Sequence, residues 1–134
     1  MKLFISVISI LILPYSFQKD PPDKIIFIID QLPHERSIGN TIETFWQDEK
    51  YFDTVQFTGK TLVTEFNQLL DNLTKSSDFS ELSYESCIIR YRKNKPIDTF
   101  YSWRWSDLWY KGTTMYIDKS KKLEGLLKNL VKTY

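Results

Sequence analysis

The 134-residue chain carries one cysteine and one histidine, so it can close no internal disulfide. Cys87 and His34 lie 53 residues apart and make neither a zinc-ligand set nor a nucleophile and base pair. We expect no metal and no cofactor. Net charge is also scarce, because 18 Lys+Arg stand against 17 Asp+Glu. Phosphate binding normally leaves a basic domain, so nucleic acid is not an expected partner. With four glycines, no internal repeat and a single-domain length, the chain is not a collagen, a coiled coil, a disordered tail or a multidomain enzyme.

What is present is a globular composition, 42% hydrophobic and 26% charged, at the length of one domain. Nine Phe, eight Tyr and four Trp supply enough large apolar side chains to bury a core without a disulfide or metal.

The first segment reads as an address. Lys2 precedes an apolar run from Leu3 to Leu13, broken only by Ser6 and Ser9, and a polar exit at Pro14-Tyr15-Ser16. This is the pattern of a secretory signal peptide over 1–17, cut near Ser16 to Gln18, and the run is shorter than the ~20 residues of a membrane span. The expectation is a secreted or periplasmic protein with a single α+β domain over 18–134 and no stable span after cleavage.

Strands are expected near 25–29, 41–46, 51–58, 87–92, 97–103 and 113–117. Helices are expected near 59–74, with Thr58 as N-cap, and near 119–132, capped by Asp118 or Ser120. In the first, Leu62, Val63, Phe66, Leu69, Leu70 and Leu73 recur at helical spacing; in the second, Leu123, Leu126, Leu127, Leu130 and Val131 do. Two helices with one apolar stripe each, and a sheet with one apolar face, satisfy each other by stacking. The predicted fold is a two-layer α+β domain with a mostly antiparallel sheet.

Residues 87–92 and 97–103 form a hairpin whose register decides what its faces carry. With Arg92 opposite Pro96, Cys87, Ile89 and Tyr91 share a face with Ile97, Thr99 and Tyr101, and Arg90 pairs with Asp98. With Arg92 opposite Ile97, Tyr101 and Trp103 join Ile88, Arg90 and Arg92 in an aromatic and arginine surface. The first register segregates apolar from charged residues and makes an ion pair, so it is favoured, although its three-residue loop sets Lys95, before a proline, where a left-handed residue is wanted. Cys87 is then a core residue.

Gly59-Lys60-Thr61 has the ending of a phosphate-binding loop, but position 54, where the first glycine belongs, is Thr54, and nucleotide binding is rejected. Asn72-Leu73-Thr74 matches the glycosylation triplet. Asp98 and Asp107 are the least implausible acid and base pair, a reading ranked below the binding functions.

The segment from Phe100 to Tyr116 differs in kind, holding seven aromatics and three of the four tryptophans. Trp105 and Trp109 lie past its regular alternation and are the expected exposed anchors. Charge also divides: Gln18 to Ser86 carry six basic and thirteen acidic residues, Cys87 to Tyr134 eleven and four. Either the halves interleave and cancel, or a basic patch gathers beside the tryptophans. The leading expectation is a small exported, non-enzymatic domain that binds a protein through Arg90, Arg92, Lys93, Lys95, Arg104, Trp105 and Trp109. The alternative is a polysaccharide-binding module that stacks sugars on Trp105 and Trp109; a carboxylate-dependent hydrolase comes third.

Overall fold

A computed structural model of the chain describes residues 19–31, 41–47, 49–77, 84–103 and 106–131. The expected leader over 1–17, His34, Arg104 and Trp105 lie outside the described residues.

The fold is α+β. Strands β1 (Lys24–Asp30), β2 (Phe52–Phe57), β3 (Thr74–Lys75), β4 (Ser86–Arg92), β5 (Lys95–Ser102), β6 (Leu108–Lys111) and β7 (Thr114–Ile117) form one sheet. Its order is β2-β1-β4-β5-β6-β7-β3, and every neighbouring pair is antiparallel. The helices are α1 (Ile42–Gln47), α2 (Lys60–Asp71) and α3 (Lys122–Val131).

One face of the sheet is covered by the two long helices. Ile25, Phe27, Ile29, Phe57, Ile88, Phe100 and Trp109 cluster there with Val63, Phe66 and Leu70 of α2 and Leu123, Leu127 and Val131 of α3. These helix residues are the apolar stripes read from the sequence. The start of α2 differs from expectation: Gly59, not Thr58, is its N-cap, in an extended conformation without a side-chain cap bond. At α3 both expected residues take part. Asp118 accepts from the Leu123 N–H at 2.9 Å, and Ser120 Oγ from the Lys122 N–H at 3.2 Å.

The opposite face was expected to need no helix, and this is corrected. Residues 42–47 form α1 instead of a strand. Thr41 caps it, its hydroxyl accepting from the Thr44 N–H and its carbonyl from the Phe45 N–H. Ile42, Phe45 and Trp46 stand at i, i+3 and i+4, so one turn of helix brings them to one side. The fully buried Phe45 packs with Ile28, Cys87, Ile89, Tyr101, Tyr110 and Met115. β-Branched and aromatic residues favour strand locally, and this packing overrides that preference.

The favoured hairpin register holds along its body, with Cys87 opposite Tyr101, Ile89 opposite Thr99 and Arg90 opposite Asp98. Near the tip a register shift sets Tyr91 against Pro96 and Arg92 against Lys95. The loop is therefore two residues, Lys93 and Asn94, with φ of 50° and 62°. Two successive left-handed residues make the hairpin turn whose twist matches the strands. The bulge at Ile97 thus removes the need for a left-handed Lys95.

Candidate functional site

The aromatic segment splits three ways. Tyr101 and Trp109 are buried, while Trp103, just past β5, is 50% exposed, the most exposed large apolar side chain among the described residues. The expectation that Trp109 is a surface anchor is corrected, because it is 2% exposed. The missed strand β6 is the cause. Pairing Trp109 with Ser102 and Tyr116 turns its indole to the helix face, and Tyr110 goes to the α1 face. Sequence reading missed β6 because four residues between turns carry too short a period to identify.

Trp46 is drawn into the same aromatic group. Its Nε1 donates to Tyr101 Oη at 2.8 Å, and its ring meets Phe45 and Phe52 edge-on. Burial raises the Tyr101 phenol above its ordinary pKa, against the opposing pull of the Trp46 bond.

Among the described residues, the basic side chains do not form one patch. Arg90 is 7% exposed and its guanidinium is occupied. Nε and Nη2 donate to Asp98 at 2.8 and 2.5 Å, and Nη1 donates to Asp71, at the end of α2, at 2.7 Å. Lys111 adds a contact to Asp98 at 3.3 Å, and both cations lie over the Phe100 ring. Burial alone would raise the Asp98 carboxyl, but the hydrogen bonds and charge of Arg90, then of Lys111, outweigh it and hold the carboxyl low. This network is structural, so Arg90 is corrected as an accessible binding residue. Arg92 is half-buried.

Lys93 and Lys95 are exposed at the hairpin tip. The segment before β1 reaches this tip: Asp20 pairs with Lys93 at 3.1 Å, and Asp23 accepts from the Lys93 N–H at 3.0 Å. The acidic and basic halves of the chain therefore meet, as Arg90–Asp71 also shows. Trp103 stands eight residues along β5 from Lys95, about 25 Å at strand rise. Lys93 and Lys95 thus occupy one end of the hairpin and Trp103 the other.

Asp98 and Asp107 are not brought together. Asp98 is four residues back from Ser102, and Asp107 lies two residues beyond its partner Trp109. Roughly 20 Å of strand separates them, beyond the ~5–10 Å that paired glycosidase carboxylates need. Among the described residues, no three His, Cys, Asp or Glu side chains converge as a metal site.

A groove of about 470 Å³ runs between residues 21–23 and α2, lined by Pro21, Pro22, Lys60, Asn67, Gln68 and Asp71 among others. Asn67 closes its floor, Nδ2 donating to the Pro22 carbonyl at 3.1 Å. Nothing in the polar composition of 18–24 signalled that this segment packs on a helix. The comparisons with protein-family models, curated proteins and solved structures find no match for this chain.

Proposed function

We propose that the protein is a small exported domain that binds another protein, with Trp103 as its anchor and Arg104 and Trp105, next to it in the sequence, as further contacts. The exposure of Trp103 carries this reading. A half-exposed indole leaves roughly 100 Å² in water, about 2.5 kcal/mol of burial that a partner can recover. Trp and Arg together are the residues that most often concentrate binding energy at protein interfaces. Lys93 and Lys95, at the far end of β5, contribute long-range attraction to an acidic partner but are not part of the anchor. Export is supported by Lys2 and the apolar run Leu3 to Leu13. Among the described residues no helix is long and apolar enough to cross a membrane.

The test is cross-linked capture from the host's exported proteins, comparing wild type with Trp103→Ala and Trp105→Ala. The expected result is one discrete protein held by wild type and lost from both variants, each of which remains folded by circular dichroism. Equal capture by the variants sinks the proposal. Retention on an insoluble polysaccharide, lost in Trp103→Ala, would instead assign the exposed indole to sugar stacking.

A further inference from the structure

The hairpin tip sets two cations side by side. Arg92 ends β4, Lys95 begins β5, and the register opposes them directly. Opposed residues share a face with their Cβ atoms about 5 Å apart, and like charges placed there repel. Arg92 stands two residues from Arg90, which reaches Asp71 of α2, so both cations lie on the helix face. The two-residue turn at Lys93 and Asn94 fixes this pairing.

Among the described residues no carboxylate is spent on this pair. Asp98 is taken by Arg90 and Lys111, and Asp71 pairs with Arg90. Asp20 pairs with Lys93 Nζ, and Asp23 accepts from the Lys93 N–H. The side chains of Arg92 and Lys95 have no ion-pair or hydrogen-bond partner among these residues. Arg92 Nε is enclosed without an acceptor, which leaves its two terminal nitrogens as the reachable donors. Lys95 is exposed. A planar guanidinium edge beside an ammonium matches the shape and charge of a carboxylate.

We infer that Arg92 and Lys95 form a carboxylate-binding site, and that its occupant is an Asp or Glu side chain protruding from a partner protein. Two observations select that occupant over an extended anionic surface. The tip already holds a polypeptide segment by its carboxylates, since the residues before β1 set Asp20 on Lys93 Nζ and Asp23 on the Lys93 N–H. The cation pair is also flanked by acids: the side chains of Asp20 and Asp71 are 65% and 64% exposed, and the Asp23 N–H bonds to the Tyr91 carbonyl beside Arg92. A lipid bilayer or a polyanion would press further negative charge against these carboxylates, and like-charge juxtaposition is costly. A single protruding side chain reaches the pair between them. The inference deepens the protein-binding reading by naming the chemistry of a second contact, one in which Trp103 takes no part.

NMR titration of the Arg92 Nε–H and the Lys95 amide with the blocked peptide acetyl-Ser-Glu-Pro-Glu-Ser-amide tests this. Both resonances should shift with a dissociation constant on the order of 1 mM, and the same peptide with Gln for Glu should shift neither. Lys95→Gln should weaken binding about fivefold; Lys95 is exposed, so the variant keeps its fold. Lys95→Glu supplies a carboxylate in cis, so it should abolish peptide binding and raise the melting temperature. Lys122→Gln removes an equal charge from α3 and should bind as wild type does. Trp103→Ala should bind likewise, so loss of the anchor and loss of this site are told apart. A wild type that shows no shift up to about 20 mM peptide overturns the inference. So does a Lys95→Glu variant that binds like wild type, or a Gln peptide that binds as well as the Glu one. Binding to phosphatidylglycerol vesicles that Lys95→Glu abolishes, without any shift from the peptide, overturns the choice of a carboxylate and assigns the pair to lipid.

Discussion

Trp109→Ala offers the sharpest check on how the aromatic segment divides. The indole is 2% exposed on the helix face of the sheet, in the cluster that includes Phe100, Leu127 and Val131. Burying it removes roughly 200 Å² from water, worth about 5 kcal/mol at 25 cal/mol per Å². That is an upper bound, since a denatured chain already hides part of the area. An opposing effect is visible in the structure: Trp109 Nε1 is buried with no hydrogen-bond partner among the described residues. An unmet donor costs about 1–3 kcal/mol, and truncation relieves it. The net expected loss is about 3 kcal/mol, at the low end for aromatic-to-alanine changes in cores. At roughly 4 °C per kcal/mol for a domain of this size, the melting temperature falls by about 12 °C. Trp109→Phe keeps most of the ring and discards the orphan donor, so it should cost about 1 kcal/mol or less. Trp103→Ala, whose ring is half in water, gives up about half as much buried area and should cost about 1–1.5 kcal/mol. Urea titration followed by far-ultraviolet circular dichroism, with calorimetry alongside, measures all three. The reasoning fails if Trp109→Ala is no more destabilising than Trp103→Ala, or if Trp109→Phe costs as much as Trp109→Ala.

Two further outcomes follow from buried groups. The Asp98 carboxyl is held below its unfolded value, so its contribution to stability is complete above the unfolded pKa of ~3.9 and is lost as pH falls through the folded value. Asp98→Asn should therefore cost about 2–4 kcal/mol at neutral pH, where Arg90 loses its main partner, and the gap from wild type should narrow below about pH 4; a gap independent of pH would contradict this. Cys87 is fully buried and burial pushes its thiol pKa up, so a disulfide reagent should label it only after unfolding in guanidinium. Rapid labelling of the native protein would show that the α1 face opens.

Much of the architecture was legible in the residues themselves. The two long helices appear in the spacing of Leu62 to Leu70 and Leu123 to Val131, although the first ends at Asp71, short of the expected 74, where Thr74 instead begins β3. The β4–β5 register follows from segregating Cys87, Ile89 and Tyr101 from the Arg90–Asp98 pair. These are local periods and cross-strand pairings, and each is a preference between neighbours along or across one hairpin. Tertiary structure decided the rest. Only packing against Ile28, Cys87 and Tyr101 makes residues 42–47 a helix, and only pairing with β5 and β7 buries Trp109. The separation of Lys93 and Lys95 from Trp103, and the placing of β2 at one end of the sheet, come from strand order. An apolar or aromatic residue in a sequence records that some surface should be covered; which element covers it, and which surface is left bare, is settled by contacts between segments far apart in the chain.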